Sequence, residues 1–202
     1  MVAEMLSEVP EFYQWDHHPT GDVYDWQSHS QYFYHAHPPD VRGNAWGDEH
    51  GHFHTFLRPL GFPRGIEAST ESGPDVRKQD HQDISHLVAV SMDNTGMPVR
   101  LFTTNRWVTG ESWYPASSVK QFLSRFMVNH ASPSLAANIW LSNLLMLYRP
   151  TINALLDARD AVIADHDVSE AECPVFEDRN LEVTSIIDID VERQLADIEA
   201  AL

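Results

Sequence analysis

Two different periods of apolar residues divide this 202-residue chain. As far as residue 107 they come in short runs that alternate or fill a strand. Beyond residue 118 they recur every three or four positions, as on one face of a helix. The run YFYHAH, residues 32–37, has the aromatic content that suits a pleated surface, and Pro38 and Pro39 end it because proline cannot donate to a ladder. A second strand is expected over HFHTFLR, residues 52–58, closed by Pro59 and preceded by His50. SHLVAVSMD and PVRLFTTNRW follow, joined by DNTGM, in which Gly96 can take the positive φ of a short hairpin loop. Residues 63–83 are polar and aperiodic, which reads either as a lid or as disorder.

In the second half Val119, Phe122, Leu123, Phe126, Met127 and His130 share one helical face, and Ser118 with Gln121 fits a capping box at its start. Ser132 and Pro133 open a further helix that Leu135, Ile139, Trp140, Leu144, Leu145 and Leu147 make apolar nearly all round, so burial on every side is expected. Pro150 should break or kink that helix before the pattern resumes over 152–163 with its charges outside. Residues 181–190, LEVTSIIDID, read as a strand or extended arm, and Asp190 as the cap of a last helix. Strands gathered first and helices afterwards predict an α+β fold, with an antiparallel sheet of four or five strands in the first half packed against a C-terminal helical half. Residues 1–178 read as this single domain, and 179–202 as an acidic arm and helix.

Charge narrows the choice of partner. With 30 acidic against 13 basic residues the formal charge is −17, which repels a phosphate backbone or an anionic bilayer, so neither nucleic acid nor membrane is expected. Residues 156–202 alone carry 14 acidic and 3 basic side chains, a bias that suits a protein partner or a homodimer contact through the C-terminal half. Residues 1–12 hold Glu4 and Glu8 where a secretory leader would need a basic start, and the apolar stretch 135–147 is too short to cross a bilayer. A cytoplasmic protein is expected. The single cysteine, Cys173, cannot form an internal disulfide or build a thiolate cage, so a metal site would need nitrogen and oxygen ligands.

Ten of the twelve histidines precede Leu87, and several fall in strand-like runs. Residues two apart on a strand share a face, so His35 and His37 should project together, as should His50, His52 and His54. On neighbouring strands these imidazoles could surround one ion, with His86 at the start of the next strand and Glu49 as the nearest carboxylate. Such a set suits iron, zinc, copper or manganese. A satisfied network of half-buried histidines is the alternative, since each HxH alone is a common feature of sheets. Tyr32 and Tyr34 should point away from this face. His17 and His18 read as loop structure, because consecutive residues cannot face one centre, while Trp15, Tyr24, Trp26, Tyr32, Phe33, Tyr34 and Trp46 could wall a small-molecule pocket, with most of them expected simply in the core. Glu111, on the turn after the hairpin, reads as a solvated glutamate, with a catalytic carboxylate as the alternative. There is no GxGxxG, GxxxxGK or GxSxG pattern, which argues against nucleotide-dependent and serine-nucleophile chemistry.

The segments GDVYDWQSHSQYFYHAHPP and GDEHGHFHTFLRP resemble those of an uncharacterised His-rich bacterial family, a domain of unknown function with no assigned activity. The resemblance implies that both histidine segments belong to one domain and implies no reaction. Cupins also carry an HxH, followed closely by a glutamate and later by a third histidine on a jelly roll. Here the glutamate is placed differently and half of the chain reads as helical, which leaves a cupin only a distant alternative. The reading is therefore a metal-binding protein with a mononuclear histidine site, a non-haem oxidoreductase or other metal-dependent enzyme acting on a small-molecule substrate. A non-enzymatic assembly subunit, using the buried helices and the acidic tail, is the alternative.

Overall fold

The computed structural model describes residues 13–38, 46–47, 49–67, 84–166 and 173–202. Most of the 63–83 segment expected to be a lid or disordered, and most of the connection between the two histidine segments, lie outside them. The fold is α+β. Six antiparallel strands, β1 (His18–Tyr24), β2 (Ser30–His35), β3 (Glu49–Leu57), β4 (Ser85–Asp93), β5 (Pro98–Thr104) and β6 (Val183–Asp188), lie in sheet order 1-2-3-4-5-6. The order follows the chain because each of the first five joins its neighbour directly. β6 is different: it returns after the helices and hydrogen-bonds to β5. The arm set apart at 179–202 thus supplies the sixth strand.

The sheet has one strand more than the upper expectation, and β1 accounts for it. Its pairing with β2 is interrupted between His18 and Val23, where Gly21 and Asp22 both have positive φ, so no alternation marks it in the sequence. At the β4–β5 hairpin Gly96 has φ +85°, as its turn requires, and the Asp93 carboxylate accepts from the backbone N–H groups of Thr95 and Met97.

Four helices follow β5: α1 (Arg106–Thr109), α2 (Ala116–Leu123), α3 (Leu135–Leu147) and α4 (Arg149–Ala164); α5 (Val191–Ala201) closes the chain. α2 starts at Ala116 after Pro115 rather than at the Ser118 capping box, so Ser118 lies inside it. It ends at Leu123, and Phe126 reaches the core from the loop beyond. Pro150 sits in the first turn of α4, where its missing N–H costs no hydrogen bond. α3 is not buried all round: Leu135, Ile139 and Met146 are exposed, because the helix packs by one side and none of the described residues forms a further layer over the other. The core lies between the helices and one face of the sheet, where Tyr32, Tyr34, Phe53, Val88, Val90 and Leu101 meet Val119, Phe122, Leu141 and Ile152. Tyr32 reaches across this layer to donate to Asn138 Oδ1 at 2.5 Å, tying the sheet to α3. The opposite face carries His35, His52, His54 and His86.

Candidate metal centre

His35 and His52 are directly opposed residues of β2 and β3, and His54 lies two residues along on the same face. Each offers one ring nitrogen, and the three nitrogens lie within 4.8 Å of one another. His52 and His54 are buried, and His35 is half-buried. The Nε2 atoms of His35 and His52 are 2.8 Å apart, a hydrogen-bond distance that requires one of them to carry a proton. Around an ion with metal–nitrogen bonds of about 2.0 to 2.1 Å, tetrahedral nitrogens stand about 3.3 Å apart. An ion would need that pair to part by about half an ångström. This triad could hold a metal.

Its surroundings orient the rings. The Nδ1 of His52 lies 2.9 Å from Glu49 Oε1, and Ser91 donates to Glu49 Oε2 at 2.5 Å. With Nδ1–H donating to the carboxylate, the His52 lone pair is on Nε2, toward the other two histidines. His54 Nδ1 lies 3.0 Å from His86 Nε2, and His86 Nδ1 is 3.5 Å from Thr104 Oγ1. Burial, with a further contribution from the Arg159 charge, holds His86 down at about 3. A neutral His86 can therefore accept from His54 Nδ1–H, which turns His54 Nε2 toward the centre.

Two β-bulges create this arrangement. On β3, Glu49 pairs with Asp93 and Gly51 with Met92, so β3 has one residue more than its partner here. The extra residue reverses the alternation. Glu49 joins the face of His52, while His50 leaves it and places its Nδ1 2.6 Å from the hydroxyl of core-facing Tyr34. The expectation that His50 shares a face with His52 and His54 thus fails, and a carboxylate stands in its stead. Gly51 permits the bulge, since a Cβ there would lie 2.5 Å from the His35 carbonyl and 2.6 Å from the Tyr34 hydroxyl. On β4, Val88 pairs with Thr55 and His86 with Phe56, leaving Leu87 extra. That bulge brings His86, which would otherwise face the core with Val88, onto the histidine face.

The other sequence candidates lie close by. His37 falls just beyond β2, with its ring centroid 4.7 Å from that of His35 and 5.1 Å from that of His52. His17 stacks on Phe33 and bonds to Asp22, whereas buried His18 places its Nε2 3.1 Å from the Tyr13 carbonyl oxygen. Tyr32 and Tyr34 face the helices, as the alternation requires. Glu111 corrects the sequence reading. It is 1% exposed rather than solvated, and its Oε2 accepts the backbone N–H of His86 at 2.7 Å. Burial pushes its carboxyl up to about 7, against the opposing effects of Arg159 and the His86 N–H. Arg159 itself is buried, donates to the Tyr114 carbonyl at 2.7 Å and lies over the Trp113 ring. Its burial also departs from the expected outward charges of that helix. The spacing of Ile152, Leu155, Leu156 and Arg159 on one stripe was the available signal.

A cavity of about 630 Å³ opens onto His35, His37 and His54, and its further walls include Trp15, Trp46, Trp107, Val108, Asn180 and Glu182. The 180–183 segment carried no signal in the sequence, because the chain returns to this face only after α4, beside Trp107 of α1. A larger hollow of about 830 Å³ lies on the far side of His17, among Asp22, Tyr24, Trp26, Gln31, Arg58 and Leu60, and none of the triad lines it.

The segments that build this centre also decide what the chain is related to, since one family model spans both. The chain belongs to the family described as domain of unknown function DUF6969. The match covers residues 1–189 and thus includes β6 as well as both histidine segments, and the description assigns no activity. No curated protein and no solved structure matches the chain. No helix among the described residues is long and apolar enough to cross a membrane.

Proposed function

We propose that this protein binds one first-row transition ion through His35, His52 and His54, and that it is a non-haem metal-dependent enzyme acting on a small molecule. The observation that carries the reading is the convergence of three imidazole nitrogens on a buried face, two of the rings backed by Glu49 and His86. His35 and His54 line the neighbouring cavity, so an ion held by the three rings could have an open position there. Three protein ligands with an open position is the arrangement of catalytic rather than structural sites. A bound ion would supply Lewis-acid or redox chemistry there, while the chain's own part is to fix the rings, hold Glu49 and His86 behind them and exclude bulk water. Imidazole ligation suits zinc, copper or iron, and manganese would call for the Glu49 carboxylate as well. Elemental analysis of protein purified without a polyhistidine tag and reconstituted with each ion tests the reading. About one ion per chain is expected, and a stoichiometry well below one with all four ions refutes it.

A second reading concerns the C-terminal half. α5 has no buried residue, and Leu195 and Ile198 are exposed along it, which supports a homodimer contact through that helix. Sedimentation of the full chain and of Leu195→Glu checks this, and a monomer in both cases refutes it.

A further inference from the structure

Resting on the metal reading above, we propose that the cavity over the triad takes an aromatic ring that bears hydroxyls and no carboxylate, lodged among the indoles with one hydroxyl oxygen presented to the ion. The walls set the class. Trp15, Trp46 and Trp107 surround a space of about 630 Å³, within the range that holds one small organic ligand. Flat, polarisable indole faces favour a planar ring over a branched aliphatic one of equal area.

Two of the three indoles are also held in place. The Arg100 guanidinium lies 5.4 Å from the Trp46 ring centroid and that of Arg179 4.4 Å from Trp107, yet neither arginine lines the cavity. Trp107 Nε1–H donates to the Leu181 carbonyl at 3.1 Å, and Trp46 meets Phe102 edge-on at 5.1 Å. Walls fixed from behind lose little freedom when a ligand enters. The polar groups then choose among aromatic ligands. Glu182 and Asn180 stand among the lining residues, in a protein of formal charge −17. An aromatic acid would meet that negative field, whereas a phenolic hydroxyl can donate to the carboxylate. A ring with two neighbouring hydroxyls can meet the ion with one oxygen and the wall with the other.

The test uses the full-length protein loaded with Zn²⁺, with 4-nitrocatechol as the probe and its absorbance shift as the readout. Acetohydroxamate, an oxygen chelator without a ring, and 4-nitrobenzoate, a ring without the hydroxyls, serve as comparisons. One 4-nitrocatechol per bound ion is expected. Trp107→Ala should weaken its binding about tenfold and leave acetohydroxamate unchanged. 4-Nitrobenzoate should bind more weakly than 4-nitrocatechol, and Glu182→Gln should narrow that difference. Intermolecular NOEs from the probe's ring protons to indole protons of the wild-type protein provide a check that needs no variant. If Zn²⁺ loads but 4-nitrocatechol fails to bind, or binds without indole NOEs, the inference is overturned while the metal centre stands. If no ion loads, both fall together.

Discussion

Glu111→Gln should remove a pH-dependent loss of stability that the wild-type fold suffers between about pH 4.5 and 7. The Glu111 carboxyl is buried and keeps its proton to about 7 in the folded state, against an ordinary value of 4.5. Over that interval the native chain binds more protons here than the unfolded chain does. Folding stability therefore falls as pH rises, and above 7 the whole penalty is present. The gap between 4.5 and about 7, at about 1.4 kcal/mol per pH unit, comes to about 3 kcal/mol. Glutamine keeps an oxygen for the His86 N–H and carries no charge to bury. Urea unfolding of both proteins in EDTA, from pH 5 to pH 8, isolates the effect, because every other titrating group cancels in the difference. The variant's advantage should grow by about 2 to 3 kcal/mol across that range, or by about 5 to 10 °C in Tm for a chain of this size. Parallel pH profiles would refute the reasoning and mean that Glu111 ionises without penalty, with the Arg159 charge offsetting its burial.

The centre gives further expectations. His35→Ala, His52→Ala and His54→Ala should each lower metal affinity by more than about a hundredfold in chelator competition, while His50→Ala should leave it unchanged, since His50 lies against Tyr34. Glu49→Gln should weaken binding about 10- to 100-fold without abolishing it, because His52 keeps its place as a ligand but loses its carboxylate partner; a loss as large as that of His52→Ala would make Glu49 itself a ligand. Gly51→Ala should cost about 1 to 3 kcal/mol in urea unfolding, because its Cβ would fall 2.5 Å from a backbone oxygen that cannot swing aside.

What the sequence made legible was whatever depends on near neighbours. The β4–β5 hairpin follows from two apolar runs and a turn glycine, and the Asp190 cap of α5 holds as read, its side chain accepting from Arg193 N–H. His35, His52 and His54 could be found because two residues apart on a strand means one face. His50, Glu49 and His86 could not be sorted in that way, since each depends on how β3 pairs with β4, and a bulge has no signature in one strand alone. Glu111 misled for a related reason. A glutamate after a glycine is usually solvated, but here residues 111–114 run beside the start of β4, with Ser112 N–H donating to the Ile84 carbonyl, and Arg159 lies beneath. β1 escaped notice because its ladder is broken in the middle, and the cavity wall at 180–183 because some seventy residues separate it from Trp107.

The bulge at His50 and Gly51 alters what a search for related sites should look for. Strict alternation would define the centre by HxHxH, with all three histidines weighted alike and the preceding glutamate ignored. The geometry spells a different word, E-x-G-H-x-H over residues 49–54, in which the second letter is free, the third admits only glycine and the first belongs with the histidines. Reading frame is usually a property of nucleic acids. In this sheet one surplus residue shifts the frame of side chains between faces, and a single-residue deletion at position 50 would restore plain alternation, with Glu49 two residues before His52 and still on the histidine face.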